Sequence, residues 1–253
     1  MTVVDLQRSA SLNLMETYFA LGAASGHARI THEDGYRLCL SSVDHPICNF
    51  AADLDLHPNA AARLAQLAAD RTTFHVYRVP GETRHCADLL RRAGFQLGHR
   101  LTQMVWRPDF DLDPFPTLSL RAADSHRLRQ AISAFMTEQF FSCQSGSFRR
   151  RVAEATSLAT SLELYGIVER GKLVGAVMLC EQVETMGIYN LCVAAAQRNR
   201  GWGQEIVHAV QRRALQMGKP LVLQCEAALE EWYAKQGFEP SGFVDVFGLE
   251  QGP

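Results

Sequence analysis

Residues 197–204, QRNRGWGQ, place two arginines and two glycines directly before an apolar helical pattern. Backbone N–H groups at the start of a helix have no partner inside the helix, and the helix dipole favours an anion there. Glycine lets a phosphate approach the backbone closely, and Arg198 and Arg200 add positive charge beside it. The stretch therefore predicts a phosphate-binding loop. A helix start with solvated arginines is the alternative interpretation.

Tyr233, in the segment EEWYAKQGFEP (230–240), is the second residue with chemical potential. A phenol with an ordinary pKa of about 10 remains protonated at neutral pH and can give its proton to a leaving group. The alternative is a core aromatic side chain that packs beside Trp232 and Phe238. The position thus predicts a general acid or a packing residue.

The elements around these residues follow from the spacing of apolar side chains. Residues 161–195 read as three strands of an antiparallel meander, and a strand ends at Val193. After Gly203 the apolar residues fall on one helix face, which Gly218 and Pro220 end. A strand at 221–225, a helix at 227–236 and a closing hairpin at 237–250 complete the pattern. The strand–helix–strand order implies one parallel crossover in a mixed sheet.

The loop resembles the R/Q-x-x-G-x-G/A signature of the GNAT acetyltransferase superfamily, with Arg198, Gly201 and Gly203 at the defined positions. The tyrosine four residues before Gly-Phe is similar to a late segment of that family. The resemblance spans roughly residues 117–250, in matching order. It implies an acetyltransferase with an α/β fold, built on a mixed sheet of the α+β kind.

The resemblance also implies a role for each site residue. The amides from Asn199 to Gly203 would bind the pyrophosphate of acetyl-CoA, and backbone groups of Leu191 and Val193 would hold its pantetheine arm. Tyr233 would protonate the departing thiolate. The strand ends beyond Val193 and Leu221 would diverge to admit the thioester. The full set expected to bind the co-substrate is Leu191, Cys192, Val193, Arg198, Asn199, Arg200, Gly201, Trp202, Gly203 and Gln204.

The sequence does not identify the general base that would deprotonate the amine. Some relatives carry a glutamate at the position of Gly187. Tyr189, Glu184, Glu226 or a chain of water molecules are the alternatives, and the spacing supports none of them.

The first half of the chain resembles a second copy of the same pattern. A shift of about 143 residues places Gly94-Phe95 on Gly237-Phe238, and it replaces Arg198 by Asp55, Gly201 by Pro58 and Tyr233 by Leu90. An aspartate repels phosphate, proline has no N–H, and leucine carries no proton. The prediction is two tandem GNAT-like domains, each a mostly antiparallel sheet with one parallel crossover. Residues 1–110 would lack the CoA site, residues 117–253 would be catalytic, and the proline-rich stretch 106–120 would link them.

Composition restricts the class of protein. The chain has 253 residues, 47% of them hydrophobic, and a net charge of −2, which gives no indication of nucleic-acid binding. No apolar run is long enough for a membrane span, and seven dispersed cysteines without metal-ligand spacing indicate a reduced, cytoplasmic protein without a metal. The expected activity is transfer of an acetyl group from acetyl-CoA to a small-molecule or peptide amine. A CoA-binding regulatory module and an acyltransferase for longer acyl groups are the alternatives.

Overall fold

The structure is a computed structural model that describes residues 3–45, 47–71, 73–108 and 118–249. Most of the predicted linker, residues 109–117, lies outside the described residues.

The described residues form seven α-helices and eleven β-strands. The helices are α1 (Val3–Ala24), α2 (Pro58–Ala69), α3 (Arg84–Arg92), α4 (His126–Phe140), α5 (Gly146–Leu158), α6 (Trp202–Met217) and α7 (Ala227–Ala234). The strands are β1 (Arg29–Glu33), β2 (Tyr36–Leu40), β3 (Phe50–Ala52), β4 (His75–Arg78), β5 (Phe95–Trp106), β6 (Arg121–Ala122), β7 (Glu163–Glu169), β8 (Lys172–Glu181), β9 (Met186–Val193), β10 (Leu221–Cys225) and β11 (Glu239–Leu249).

All eleven strands join in one mixed sheet, in the order β1-β2-β3-β4-β11-β5-β10-β9-β8-β7-β6. Two neighbouring pairs are parallel, β3 with β4 and β9 with β10, and the other pairs are antiparallel. The predicted mixed α/β fold is therefore confirmed. The predicted meander corresponds to β7, β8 and β9, and the predicted helix end coincides with Gly218 in a left-handed conformation at φ 64°.

The closing hairpin predicted for residues 237–250 is wrong, because Glu239–Leu249 form the single strand β11. The turn-like sequence around Gly242 produces a register shift between Pro240 and Gly242 instead of a reversal. β11 pairs with β4 on one side and with β5 on the other, so a continuous strand satisfies both of its edges. The last strand thus lies beside strands from the first half of the chain.

The two ends of the sheet repeat one arrangement. α2 connects the parallel pair β3 and β4, and α6 connects the parallel pair β9 and β10. α3 leads into β5 and α7 leads into β11, with Gly94 and Gly237 at positive φ before each strand. The central strands β5 and β11 pair with each other over ten positions and join the two sets. The division into domains 1–110 and 117–253 remains a prediction.

Three apolar clusters fill the space beside the sheet. One lies under α1 and α4, a second lies between the sheet and α6, and a third packs α2 and α3 on the first strands. Within the described ranges, the helices are too short or too polar to span a bilayer.

Candidate functional site

The predicted phosphate loop follows β9 directly. A single 3₁₀ turn covers Ala195–Gln197, and α6 then begins at Trp202. Asn199 and Gly201 both have positive φ, 60° and 83°, and Gly201 is the helix N-cap without any side-chain cap. Glycine adopts this left-handed conformation without the steric cost that a Cβ imposes. The backbone between β9 and α6 therefore forms an open turn at a helix start.

The amides of this turn are unused within the described residues. The N–H groups from Asn199 to Gln204 donate no hydrogen bond there, and Glu205 is the first to donate, to the Gly201 carbonyl at 3.0 Å. Consecutive free N–H groups at a helix start form a concave donor surface for an anion.

The corresponding helix start in the first half is occupied by its own side chains. Pro58 stands at the first helical position of α2 and has no N–H, and His57 Nδ1 accepts from the Ala60 amide at 3.4 Å. His57 Nε2 in turn contacts Asp34 at 2.9 Å. Only part of this donor surface is thus left at α2.

The side chains of the loop take different positions. Arg198 folds back, and its Nε donates to the Val193 carbonyl at 3.3 Å, whereas Arg200 and Gln204 are exposed. Trp202 is half-buried against the cluster under α6. A Cβ on Gly203 would lie 3.4 Å from the Trp232 ring, so α7 packs closely on this turn. Of the two arginines, Arg200 is the one that faces solvent without a described partner.

A gap opens between β9 and β10 beside the loop. The parallel strands pair only at Met186 with Leu221 and at Gly187 with Val222. Beyond this point β9 pairs with β8 but not with β10, and β10 pairs with β5 but not with β9. A bulge in β9, where Asn190 has a φ of 48°, accompanies the divergence. The gap therefore begins earlier than the predicted strand end at Val193.

The residues predicted to hold the pantetheine arm lie on the β9 edge of this gap. Leu191 and Val193 are half-buried, and Cys192 is buried. Burial raises the pKa of the Cys192 thiol to about 12, so this sulfur is protonated at neutral pH and is not a nucleophile.

A cavity of about 470 Å³ reaches from the gap to the first half of the chain. Its walls come from α1, α4, α5, the strands β4, β5, β8, β9 and β10, the start of α7 and the segment that contains His45 and Ile47. Met136, Thr137, Phe140 and Phe141 supply the side above α4. Arg149 contacts the Glu138 carboxylate and the Ser142 carbonyl, and Arg151 contacts the Ser42 carbonyl.

Tyr233 lines this cavity from α7. The residue is 8% exposed, and its ring packs on Trp232 and Phe238 with centroid distances of 4.8 and 5.7 Å. Burial, reinforced by Cys225, raises the pKa of its phenol to about 12. Tyr233 combines both sequence interpretations, since it packs in the core and also meets the cavity with a protonated hydroxyl.

Helix α7 presents one stripe of side chains to the cavity. Glu226, Leu229 and Tyr233 are three and four residues apart, which places them on one helix face, and all three line the cavity. Glu226 is the N-cap residue of α7, and its side chain makes no capping hydrogen bond. Among the described cavity residues it is the one carboxylate.

The other candidate bases occupy different places. The Glu184 carboxylate accepts a hydrogen bond from Ser9, and Glu184 is not among the residues that line the cavity. The Tyr189 hydroxyl lines the cavity but donates to Asn13 Oδ1 at 2.8 Å, and burial raises the pKa of this phenol well above its usual value. At Gly187 a Cβ would lie 2.1 Å from Asn13 Oδ1, so no side chain fits there.

The sequence did not identify which residues of the first half line this cavity. Three histidines and two tyrosines from the first half line it: Tyr18, His45, His75, Tyr77 and His99. They lie on four separate segments, and no spacing in the sequence connects them. The strand order β4-β11-β5-β10 brings His75, Tyr77 and His99 near one another, because β4 and β5 lie on the two sides of β11. The described residues contain no group of three or more metal-ligating side chains.

Residues 161–240 match the family model described as Acetyltransferase (GNAT) domain. This segment belongs to the GNAT acetyltransferase family. The matched region includes the loop at 198–204, the gap-lining residues of β9 and Tyr233. The comparison with curated protein sequences found no significant match.

Solved structures of GNAT proteins share the fold of the whole chain. A GCN5-related N-acetyltransferase from Kribbella flavida is 17% identical with a TM-score of 0.67, over 97% of this chain and 96% of that one. A tandem GNAT protein from the clavulanic acid biosynthesis pathway is 18% identical with a TM-score of 0.60, over 86% of this chain and 79% of that one. A protein of unknown function from Staphylococcus epidermidis is 17% identical with a TM-score of 0.64, over 87% of this chain and 93% of that one. The GNAT fold thus extends beyond the segment that the family model matches.

Proposed function

We propose that this GNAT protein transfers an acetyl group from acetyl-CoA to an amine. The observation that carries the proposal is the continuity of three features. Free loop amides at 199–204, the gap between β9 and β10, and Tyr233 on the cavity wall follow one another in space. This order matches the order of pyrophosphate, pantetheine and thioester along a CoA molecule.

The loop supplies the anion site. Its six free amides and the positive end of the α6 dipole face the pyrophosphate, and the exposed Arg200 adds charge. The β9 edge beyond Gly187 is free of β10, so backbone groups of Leu191 and Val193 are available to the pantetheine arm. We propose a single CoA site per chain, because at α2 Pro58 has no N–H and His57 already accepts from the Ala60 amide.

The residues of α7 supply the proton chemistry. The deprotonated amine attacks the thioester carbonyl, and the C–S bond of the resulting tetrahedral intermediate breaks. Tyr233 then gives its phenolic proton to the departing thiolate, and the proton that the new amide nitrogen loses returns to Tyr233 through water. Glu226, which lines the cavity on the same side of α7 as Tyr233, accepts the proton from the incoming ammonium. Attack is direct, because burial raises the pKa of Cys225, the cysteine that lines the cavity, to about 11 and keeps this thiol protonated.

The test has two readouts. Acetyl-CoA at millimolar concentration should raise the melting temperature, because a ligand that binds only the folded state stabilises it. A panel of primary amines with acetyl-CoA should release free CoA thiol, and hexanoyl-CoA in the same assay distinguishes a longer acyl donor. Protection against heat without thiol release from any amine would favour the CoA-binding regulatory module instead. Absence of protection would contradict the CoA site itself.

A further inference from the structure

The cavity has a second polar end, distant from Tyr233. Tyr18, His45, His75, Tyr77 and His99 form this end, which we call the His–Tyr wall. Tyr18 and Tyr77 are 5.0 Å apart between ring centroids, and His75 lies 6.3 Å from both Tyr77 and His99. The rings of Tyr18, Tyr77, His75 and His99 thus form one chain of contacts from α1, β4 and β5, and His45 lines the same cavity.

The wall consists of groups that can donate hydrogen bonds. Among the described residues, the hydroxyls of Tyr18 and Tyr77 have no hydrogen-bond partner. His45 Nδ1 accepts from the Ile47 amide at 3.1 Å, so the proton of the neutral ring is on Nε2. His75 Nδ1 is buried and has no hydrogen-bond partner in the described chain. A buried polar atom without a partner is rare, and His75 Nδ1 is such an atom.

Charge differs between the two ends of the cavity. The described cavity residues include no lysine or arginine, and the one carboxylate, Glu226, is on α7. Burial lowers the pKa of His45 to about 4 and also lowers the pKa of His75, so both rings are neutral at pH 7. Tyr18, Tyr77, His45 and His75 thus give the wall neutral donors, and the α7 end carries the carboxylate.

The sheet separates these ends by several strands. β4, which carries His75 and Tyr77, is separated from β10 by β11 and β5. Three strand spacings correspond to about 14 Å. The β4 side chains of the wall, His75 and Tyr77, are therefore too far from the gap at β10 to contact the reacting carbonyl, and they meet the far end of a molecule whose amine lies at Glu226.

We propose that the His–Tyr wall binds a carboxylate at the end of the acceptor remote from its amine, so that the acceptor is an ω-amino carboxylate with an apolar body. This inference rests on the proposed function for the position of the amine. A carboxylate accepts several hydrogen bonds, and the wall offers donors on Tyr18, Tyr77 and His45. Glu226 favours the ammonium end, which fixes the orientation. Leu21, Leu101 and Met178 contact the apolar body between the two ends.

Calorimetric titration of the protein without any CoA tests the wall separately from catalysis. The probes are ω-amino carboxylates of five to eight carbons and the matching ω-amino amides, which keep the length and remove the charge. One acid should bind about tenfold or more tightly than its amide, since hydrogen bonds to a charged group are stronger than those to a neutral one. Equal binding of acids and amides at every length, or binding of neither, would overturn the proposal.

Single substitutions test whether the preference for the acid over the amide arises at the His–Tyr wall. Tyr77→Phe removes one donor and keeps the ring, so the preference for acid over amide should fall about threefold to tenfold. Tyr36→Phe is the matched control, because Tyr36 is a buried tyrosine in the cluster under α2 and is not a cavity residue. A preference unchanged in Tyr77→Phe would contradict the wall. Thiol release with acetyl-CoA is measured in parallel, so that failure of catalysis and failure of carboxylate binding are distinguished.

Discussion

The Tyr189 hydroxyl donates a 2.8 Å hydrogen bond to Asn13 Oδ1, which connects β9 of the GNAT domain to the first helix of the chain. Asn13 Nδ2 donates to the Cys180 carbonyl at 3.0 Å and to Thr185 Oγ1 at 3.1 Å, and Asn13 is fully buried. This amide occupies the space beside Gly187. The first half of the chain therefore fills that space with its own polar contact.

Gly187→Ala should lower the free energy of unfolding by about 3 kcal/mol or more, because its Cβ would overlap Asn13 Oδ1 at 2.1 Å and the Tyr189 ring at 2.3 Å. Gly98→Ala is the control, since Gly98 is a strand residue whose Cβ would meet its nearest neighbour at 3.5 Å. Urea denaturation of both variants measures the difference. Equal stability of the two variants would show that the space beside Gly187 is open.

Tyr233→Phe should lower kcat by about 10²–10⁴-fold and leave the affinity for acetyl-CoA nearly unchanged. The pKa of about 12 keeps the phenol protonated throughout pH 6–10. At any pH lower than about 11, kcat should therefore not fall because of Tyr233 ionisation. Tyr165→Phe, at a tyrosine whose hydroxyl donates to Glu163 on the same strand, is the control. Full turnover in Tyr233→Phe, with chemistry rate-limiting, would leave this residue a packing role alone.

Glu226→Gln should raise the pH at which kcat/KM reaches its plateau, because the amine must then lose its proton to solvent before it attacks. The expected loss at pH 7 is about 10²-fold or more, and it should diminish as the pH rises toward the pKa of the amine. Glu184→Gln, at the carboxylate that accepts from Ser9, is the matched control. An unchanged pH profile in Glu226→Gln would assign proton removal to water.

Residues 117–253 expressed alone should be insoluble or should form oligomers. β5 lies between β10 and β11, so its removal exposes the edges of both strands and the apolar cluster around Val244 and Val246. Co-expression of residues 1–110 as a separate chain should restore a soluble complex. Size-exclusion chromatography distinguishes these cases, and a soluble, active monomer of 117–253 would contradict the structural dependence.

Local patterns predicted most of the second half, because each element there is amphipathic over its own length. The helix from Trp202 to Met217 and the strand at 221–225 follow from periodicity and from Gly218 alone. The path of β11 did not follow, since the turn residues around Gly242 fit both a hairpin and a bulge. The choice depends on the free edges of β4 and β5, which lie more than 130 residues away in sequence.

The same limit applies to the candidate site. The loop and Tyr233 could be recognised because their neighbours in sequence are also their neighbours in space. His75 and His99 share a cavity with Tyr233 because the strand order β4-β11-β5-β10 brings β4 and β5 into the same sheet as β10. Long-range strand pairing leaves no periodic signal at the histidines themselves.

The positive φ of Gly201 gives a direct test of the loop. Gly201→Ala and Gly171→Ala both place a Cβ in open space at a left-handed position, with φ of 83° and 77°. Each should therefore cost a similar stability of about 1 kcal/mol. Only Gly201→Ala should weaken acetyl-CoA binding, by about tenfold, because it disturbs the amides that face the pyrophosphate. Similar affinities in the two variants would place the CoA site elsewhere.

Calorimetric titration of the full chain with acetyl-CoA tests the central claim most directly. The free amides at 199–204 and the occupied helix start at Pro58 predict one acetyl-CoA per chain, with binding weakened by salt because phosphate contacts are electrostatic. The predicted result is one acetyl-CoA per chain. Gly201→Ala should bind acetyl-CoA more weakly, and Gly171→Ala should bind it with unchanged affinity. Two molecules per chain, or none, would contradict the assignment of the loop as the single CoA site.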